Sequence, residues 1–109
     1  MNIHTKDLGG STVIHLEGDF IGEADQKNLK DQVNRVVDKG AKRLVIDLGH
    51  IKYINSCGLG SLVCALTTVR RSGGELRLAA PGSEVRHLFE MTRLDVILKV
   101  YPTVDEAVK

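Results

Sequence analysis

Tryptophan is absent from this sequence, and only two phenylalanines and two tyrosines are present. With 42% of the residues hydrophobic, a core can still form, but it must be built from aliphatic side chains. No apolar run approaches the about 20 residues of a membrane span, and the opening Met1–Asp7 is too polar for a signal peptide. Charge is nearly balanced at +1. The chain has no long basic run and no arginine interleaved with aromatics, so direct nucleic-acid binding is not expected. Cysteine is scarce as well. Cys57 and Cys64 stand seven residues apart on one expected helix, a rise of about 10 Å, too far for a disulfide between them. They form no Cys-x-x-Cys motif, and no paired histidines complete a zinc site. No metal and no cofactor is therefore expected, and a reducing cytoplasm is the simplest compartment. The length of 109 residues fits one domain, residues 1–109, with no repeat, linker or low-complexity stretch.

What the chain does have is an alternation of strand and helix signals. Residues 3–7 and 11–17 read as two strands around Leu8-Gly9-Gly10, a hairpin signal. Ile14, Leu16 and Gly18 mark an apolar face, with His15 on the wetter one. A helix follows from about Glu23 to Lys39, with Leu29, Val33, Val36 and Val37 on one side and Asp31 and Arg35 as an i, i+4 pair. Lys42-Arg43 leads into Leu44-Val45-Ile46-Asp47, a buried strand over 43–48. A loop is expected over 49–55. From Leu59 the apolar residues fall at Leu62, Val63, Leu66 and Val69, the spacing of a helix running from Cys57 to about Arg71. Glu75–Ala79 alternates as a strand. Pro81-Gly82-Ser83 turns the chain into a short helix over 84–92 with Ser83 as its cap. Val96–Val100 reads as a last strand at an edge. Thr103 with Glu106 forms a capping box that starts a C-terminal helix. The order is β-β-α-β-α-β-α-β-α, an α/β fold with parallel neighbours and an opening antiparallel hairpin.

Chemistry concentrates at Asp47–Gly60. Ser56 stands where an N-cap belongs, its hydroxyl facing the open amides of the next turn. A hydroxyl there can cap, attack, or accept a phosphate. Attack is poorly supported, because Gly-x-Ser-x-Gly is absent. A base would have to be His4, His15, His50 or His87, and nothing in the sequence pairs one of them with a buried acid. Gly58-Leu59-Gly60-Ser61 lacks the later Gly-Lys-Thr/Ser of a phosphate loop, so its glycines point to close packing of helix on sheet. Cys57, in the first helical turn, is placed where a thiolate is favoured, which leaves a redox-responsive module as one reading. Physics alone favours a plain cap at Ser56. The phosphate alternative has one attraction. A helix N-terminus accommodates the charge of a phosphoserine, and the added charge of about −1.5 to −2 would be felt by any partner docked on that corner.

These residues resemble a known family. Asp47-Leu48 followed by Ile51, Tyr53-Ile54 and Asn55-Ser56-Cys57-Gly58-Leu59-Gly60 is similar to the signature of STAS domains, in particular of bacterial anti-sigma factor antagonists. The likeness extends to Gly18-Asp19-Phe20, Gly73-Gly74 before Glu75-Leu76, and Val100–Ala107. It implies a STAS-like mixed sheet of about five strands with four helices. It also implies a binding module and not an enzyme. In its unphosphorylated state such a module sequesters an anti-sigma factor that is also a serine kinase, and so frees a sigma factor. The kinase phosphorylates Ser56 and releases the antagonist, and a serine phosphatase resets it. Partner contacts are expected at Phe20, Tyr53, Asn55, Cys57, Gly58 and Leu59. Asn55 stands where the best-known antagonists often carry Asp. Ile21 occupies the acid position of an early Gly-x-Leu-Asp pattern, so nucleotide contacts do not carry over. The same resemblance admits an accessory STAS subunit of a membrane transporter.

Overall fold

A computed structural model describes residues 1–109. Five strands lie side by side in chain order: β1 (Asn2–Leu8), β2 (Ser11–Phe20), β3 (Arg43–Ile54), β4 (Glu75–Ala79) and β5 (Lys99–Tyr101). The β1–β2 pair is antiparallel and the others are parallel. The hairpin closes through Gly9 and Gly10, both at positive φ (57° and 86°), the conformation a two-residue turn matched to strand twist requires. Helices α1 (Glu23–Asp38), α2 (Ser56–Arg71), α3 (Ser83–Met91) and α4 (Val104–Val108) fill the connections. The expected mixed sheet with four helices is therefore present, as are the expected element order and the edge position of β5.

Two apolar layers hold the sheet. Leu29, Val33 and Val36 of α1, Leu59, Leu62, Leu66 and Val69 of α2, and Val85 and Phe89 of α3 pack on Ile14, Leu16, Phe20, Leu44, Ile46 and Leu48. The opposite face is covered only by α4, where Ala107 seats on Val13, Val45 and Ala79. Val13 and Ile14 are thus both buried although they point opposite ways. Arg43 donates to the carbonyls of Val108 and Lys109, and Arg77 to that of Ala107, so two guanidinium groups hold the carbonyl end of a helix too short to form alone.

Several expectations need correction. Residues 49–55 are not a loop, because β3 continues to Ile54. Burial along this tail falls at Leu48, Ile51 and Ile54, a spacing of three that hides the strand period. The cause is a pair of register shifts against β2, between His15 and Glu17 and between Gly18 and Asp19, with Gly18 at φ 106°. The strand expected over 96–100 starts instead as a 3-10 turn, Leu94–Val96, and only Lys99–Tyr101 pairs with β4. Arg93 in the left-handed region (φ 62°) reverses the chain there, and of Val96, Ile97 and Leu98 only the last is buried. Ser83 is the first helical residue of α3, and Gly82 occupies the cap position. Asp31 bridges back to Lys27 at 3.8 Å, not forward to Arg35. The Thr103 cap is present, its hydroxyl accepting from Glu106 N at 3.1 Å.

Candidate functional site

β4 ends at Ala79, opposite Asp47, so the last residues of strands β2 and β3 project beyond the rest of the sheet as a pair. Phe20 and Ile54 are partners at its tip. From this tip the chain enters α1 after Gly22 and α2 after Asn55. Both helix N-termini therefore meet at one corner.

The cap of α2 is Asn55, not Ser56. Asn55 is extended (φ −116°, ψ −171°), and its Oδ1 accepts from Gly58 N at 3.1 Å. Its Nδ2 donates to Ile21 O at 2.9 Å, and its backbone N–H donates to Phe20 O at 3.4 Å. One side chain thus closes the helix and ties it to the start of the α1 loop. Gln26 Nε2 adds a second tie, donating to Cys57 O at 2.9 Å. Ser56, the first helical residue, is exposed and its hydroxyl bonds to no other protein group. The two tasks that sequence reasoning placed on Ser56 fall on neighbouring residues: Asn55 caps, and Ser56 is left free.

The remaining site residues divide by burial. Cys57 is exposed and reduced, as is Cys64. Tyr53 is 64% exposed at the corner's rim. Gly58 is buried because a Cβ there would sit 2.6 Å from Phe20 O and 2.6 Å from Ile54 Cγ1. The first turn of α2 can approach the strand tip only without a side chain at this position. Gly60 has nothing within 4 Å of its ideal Cβ, so close packing explains one glycine of the pair. Leu59 is 8% exposed and belongs to the core. Phe20 needs correction as a contact residue. It is fully buried, in the core with Ile54 and Leu59, and supports the corner from below instead of offering a surface. The apolar side chain that does reach solvent beside it is Ile21, 48% exposed. The sequence signal for Ile21 was its lone position between Phe20 and the helix-starting Gly22.

Asp25 fixes the α1 side of the corner. Its Oδ2 accepts from Ile21 N and Gly22 N, both at 3.3 Å, and its Oδ1 lies 3.3 Å from the N-terminal ammonium. Burial alone would raise this carboxyl. The hydrogen bond from Ile21, the ammonium and the bond from Gly22 outweigh it and hold the group below its ordinary value.

One constellation escaped sequence reasoning. His15 Nδ1 lies 2.7 Å from Asp47 Oδ2, a pairing of a histidine with a buried acid across 32 residues. Parallel pairing of β2 with β3 sets these two opposite each other, a register that no local motif announces. Asp47 precedes Ile54 by seven residues of strand, roughly 20 Å of extended chain, so this pair does not serve the Ser56 hydroxyl. No group of three or more His, Cys, Asp or Glu side chains is arranged to hold a metal ion, and no helix is long and apolar enough to cross a membrane.

The STAS domain profile matches residues 2–107. BtrV of Bordetella bronchiseptica, provisionally named an anti-sigma factor antagonist, is 30% identical over 102 residues, covering 94% of this chain and 84% of its own. The crystal structure of an anti-sigma factor antagonist from Mycobacterium paratuberculosis superposes with a TM-score of 0.86 at 26% identity, over 98% of this chain and 90% of that one. The Bacillus protein SpoIIAA in its phosphorylated form shares the fold, with a TM-score of 0.74 at 16% identity over 98% and 96% of the two chains.

Proposed function

The chain belongs to the STAS domain family, among relatives named for anti-sigma factor antagonism, and from that premise we propose that it is a phosphorylation-switched antagonist acting through Ser56. Unphosphorylated, it binds an anti-sigma factor that is also a serine kinase, and a sigma factor goes free. The kinase transfers a phosphoryl group to the Ser56 hydroxyl, the complex separates, and a serine phosphatase restores the binding form.

The observation that carries this reading is the division of labour at the corner. Asn55 takes the capping bond from Gly58 N, so the Ser56 hydroxyl has no structural duty to lose on phosphorylation. The amides of Ser56 and Cys57 have no intrahelical partner, as at any helix start, and the positive end of the helix dipole favours a dianion beside them. Modification therefore costs the domain little, while it adds charge to the surface that a partner covers. Tyr53 and Ile21 flank that surface as exposed apolar side chains, the residue types that anchor an interface core.

The test uses the purified protein, the anti-sigma factor kinase of the same organism and ATP, with the phosphate located by mass spectrometry. Stoichiometric phosphate on Ser56, and none on Ser56→Ala, is the expected result. Phosphate on Ser61, Thr67 or Thr68 in place of Ser56 overturns the assignment.

A further inference from the structure

The sheet face away from α1, α2 and α3 is covered by α4 over Val13, Val45 and Ala79 and carries polar side chains toward β1. His4 and His15 are direct partners across the antiparallel β1–β2 pair. Their rings are stacked, 4.9 Å between centroids and 21° between planes. Asp47 is the next residue in the same row, on β3. Its Oδ1 accepts from Gly49 N at 2.9 Å and its Oδ2 meets His15 Nδ1 at 2.7 Å. An ionised carboxylate only accepts, so the proton of a neutral His15 sits on Nδ1. Nε2 keeps its lone pair, and no protein group bonds it or either nitrogen of His4.

A carboxylate behind one ring nitrogen, with the other nitrogen open and a second imidazole alongside, is the arrangement of a histidine prepared to ligate. We propose that His4 and His15 form a two-nitrogen chelate for a borderline divalent transition cation (Cu2+, Ni2+ or Zn2+), with Asp47 as the positioning residue behind His15 and water completing the coordination. Imidazole nitrogens bind such ions at about 2.0–2.1 Å. Stacked rings hold their in-plane lone pairs near-parallel, so one ring must turn out of the stack for both nitrogens to meet one ion, and His4, exposed on an edge strand, is free to do so. No third side chain converges, so the site is a chelate of modest affinity that discriminates by ligand type. Hard cations such as Mg2+ and Ca2+ demand oxygen ligands and are not held. Among the softer ions Cu2+ binds more tightly than Ni2+ or Zn2+. A bound ion cross-links β1 to β2 on the face opposite the Ser56 helix, so this inference stands apart from the phosphorylation reading.

Calorimetric titration of the metal-free protein with CuCl2, NiCl2 and MgCl2 tests it, using Cys57→Ser/Cys64→Ser to remove thiol ligands. One saturable site for Cu2+ and Ni2+, none for Mg2+, and a loss of at least about tenfold in both His4→Gln and His15→Gln are expected. Asp47→Asn weakens binding by about 10–100-fold and shifts the His15 ring 15N resonances away from the Nδ1–H tautomer. A purely structural aspartate would leave metal affinity unmoved. His50→Gln and His87→Gln bind as the parent does. His4 is exposed on the outermost strand, so His4→Gln stays folded and decides the matter even if Asp47→Asn unfolds. The proposal is overturned if no saturable binding occurs at millimolar metal, if His4→Gln binds as tightly as the parent, or if Asp47→Asn is folded and binds unchanged.

Discussion

Removing Asn55 should cost far more than removing Ser56, although only the serine is expected to be the switch. Asn55→Ala deletes the acceptor for Gly58 N, and a lost N-cap costs about 1 kcal/mol, within about 0.5–2. It also deletes the bond from Nδ2 to Ile21 O. That bond joins exposed groups that water can replace, so it adds about 0.5–1 kcal/mol. The sum is about 1.5–2 kcal/mol. Ser56→Ala breaks no hydrogen bond and stays exposed, so it falls within about 0.5 kcal/mol of zero. At a few degrees per kcal/mol for a domain of this size, Asn55→Ala should melt roughly 5–10 °C lower, and Ser56→Ala within about 2 °C of the parent. Asn55→Asp separates the two functions of the side chain. It keeps the capping acceptor and gains about 0.3–1 kcal/mol from the helix dipole, but its second oxygen faces the Ile21 carbonyl, where the amide donated. Its melting temperature should lie above that of Asn55→Ala, while amide exchange around Ile21 and Gly22 speeds up. Thermal melts, urea titrations and hydrogen exchange on the four proteins read all of this. If Ser56→Ala melts as low as Asn55→Ala, the serine hydroxyl is the cap and the reasoning about a free Ser56 fails.

Ser56→Asp should keep its fold and lose at least about 30-fold in affinity for the anti-sigma factor, since an unpaired charge desolvated in an interface costs 2 kcal/mol or more. Tight binding by a folded Ser56→Asp in calorimetry would count against the switch. Gly58→Ala should destabilise by about 1–3 kcal/mol, because the new Cβ meets Phe20 O and Ile54 at 2.6 Å. Gly60→Ala, with open space, should instead stabilise by up to about 1 kcal/mol; denaturant midpoints that move in the same direction for both would contradict the packing. Stability should drain on the acid side. Glu75 is held below its ordinary 4.5 first by the hydrogen bond from Lys99, with Arg77 adding to it, and Asp25 sits below 3.8. For such groups the unfolded state binds more protons, so their contribution is present above those ordinary values and is lost as pH falls through the lower folded ones. Urea titrations across the acid range should show a shallower loss in Glu75→Gln and Asp25→Asn than in the parent. Cys57→Ser should bind the partner as the parent does, and loss of binding on mild oxidation of the parent alone would bring a redox role forward.

The parts of this structure that local sequence could show were those in which one period runs unbroken. Leu59, Leu62, Leu66 and Val69 keep helical spacing from end to end, and all four are buried. The tail of β3 could not be read this way. Two extra residues on β3 at its register shifts against β2 change the spacing of buried residues from two to three, and a strand so interrupted looks like a loop. The 3-10 turn at Leu94–Val96 was hidden for a different reason. Val96, Ile97 and Leu98 have the composition of a buried strand, yet Val96 is 70% exposed, because the left-handed Arg93 sets the direction of the chain and composition does not. The His15–Asp47 pair depends on the register between two strands, information that resides in the sheet as a whole.

The largest consequence follows from a displacement of one residue. Sequence reasoning placed the cap on Ser56, and on that view capping and phosphorylation competed for the same oxygen. Every phosphorylation would then have removed a bond worth about 1 kcal/mol from the helix that displays the site. With the cap on Asn55, the bond to Gly58 N persists in both states. The Asn55–Ile21 and Gln26–Cys57 ties brace the corner from the α1 side, and Gly58 presses the first turn against Phe20 and Ile54. A corner held by so many contacts that do not involve Ser56 Oγ has little reason to rearrange when that atom is modified. The effect of a phosphate at Ser56 should therefore appear at the interface, through charge and bulk, and not inside the domain. Amide exchange and chemical shifts beyond the first turn of α2 should match between phosphorylated and unphosphorylated protein while partner affinity falls. A phosphorylated form whose α1 or β3 tail loosens would place the switch in the fold instead.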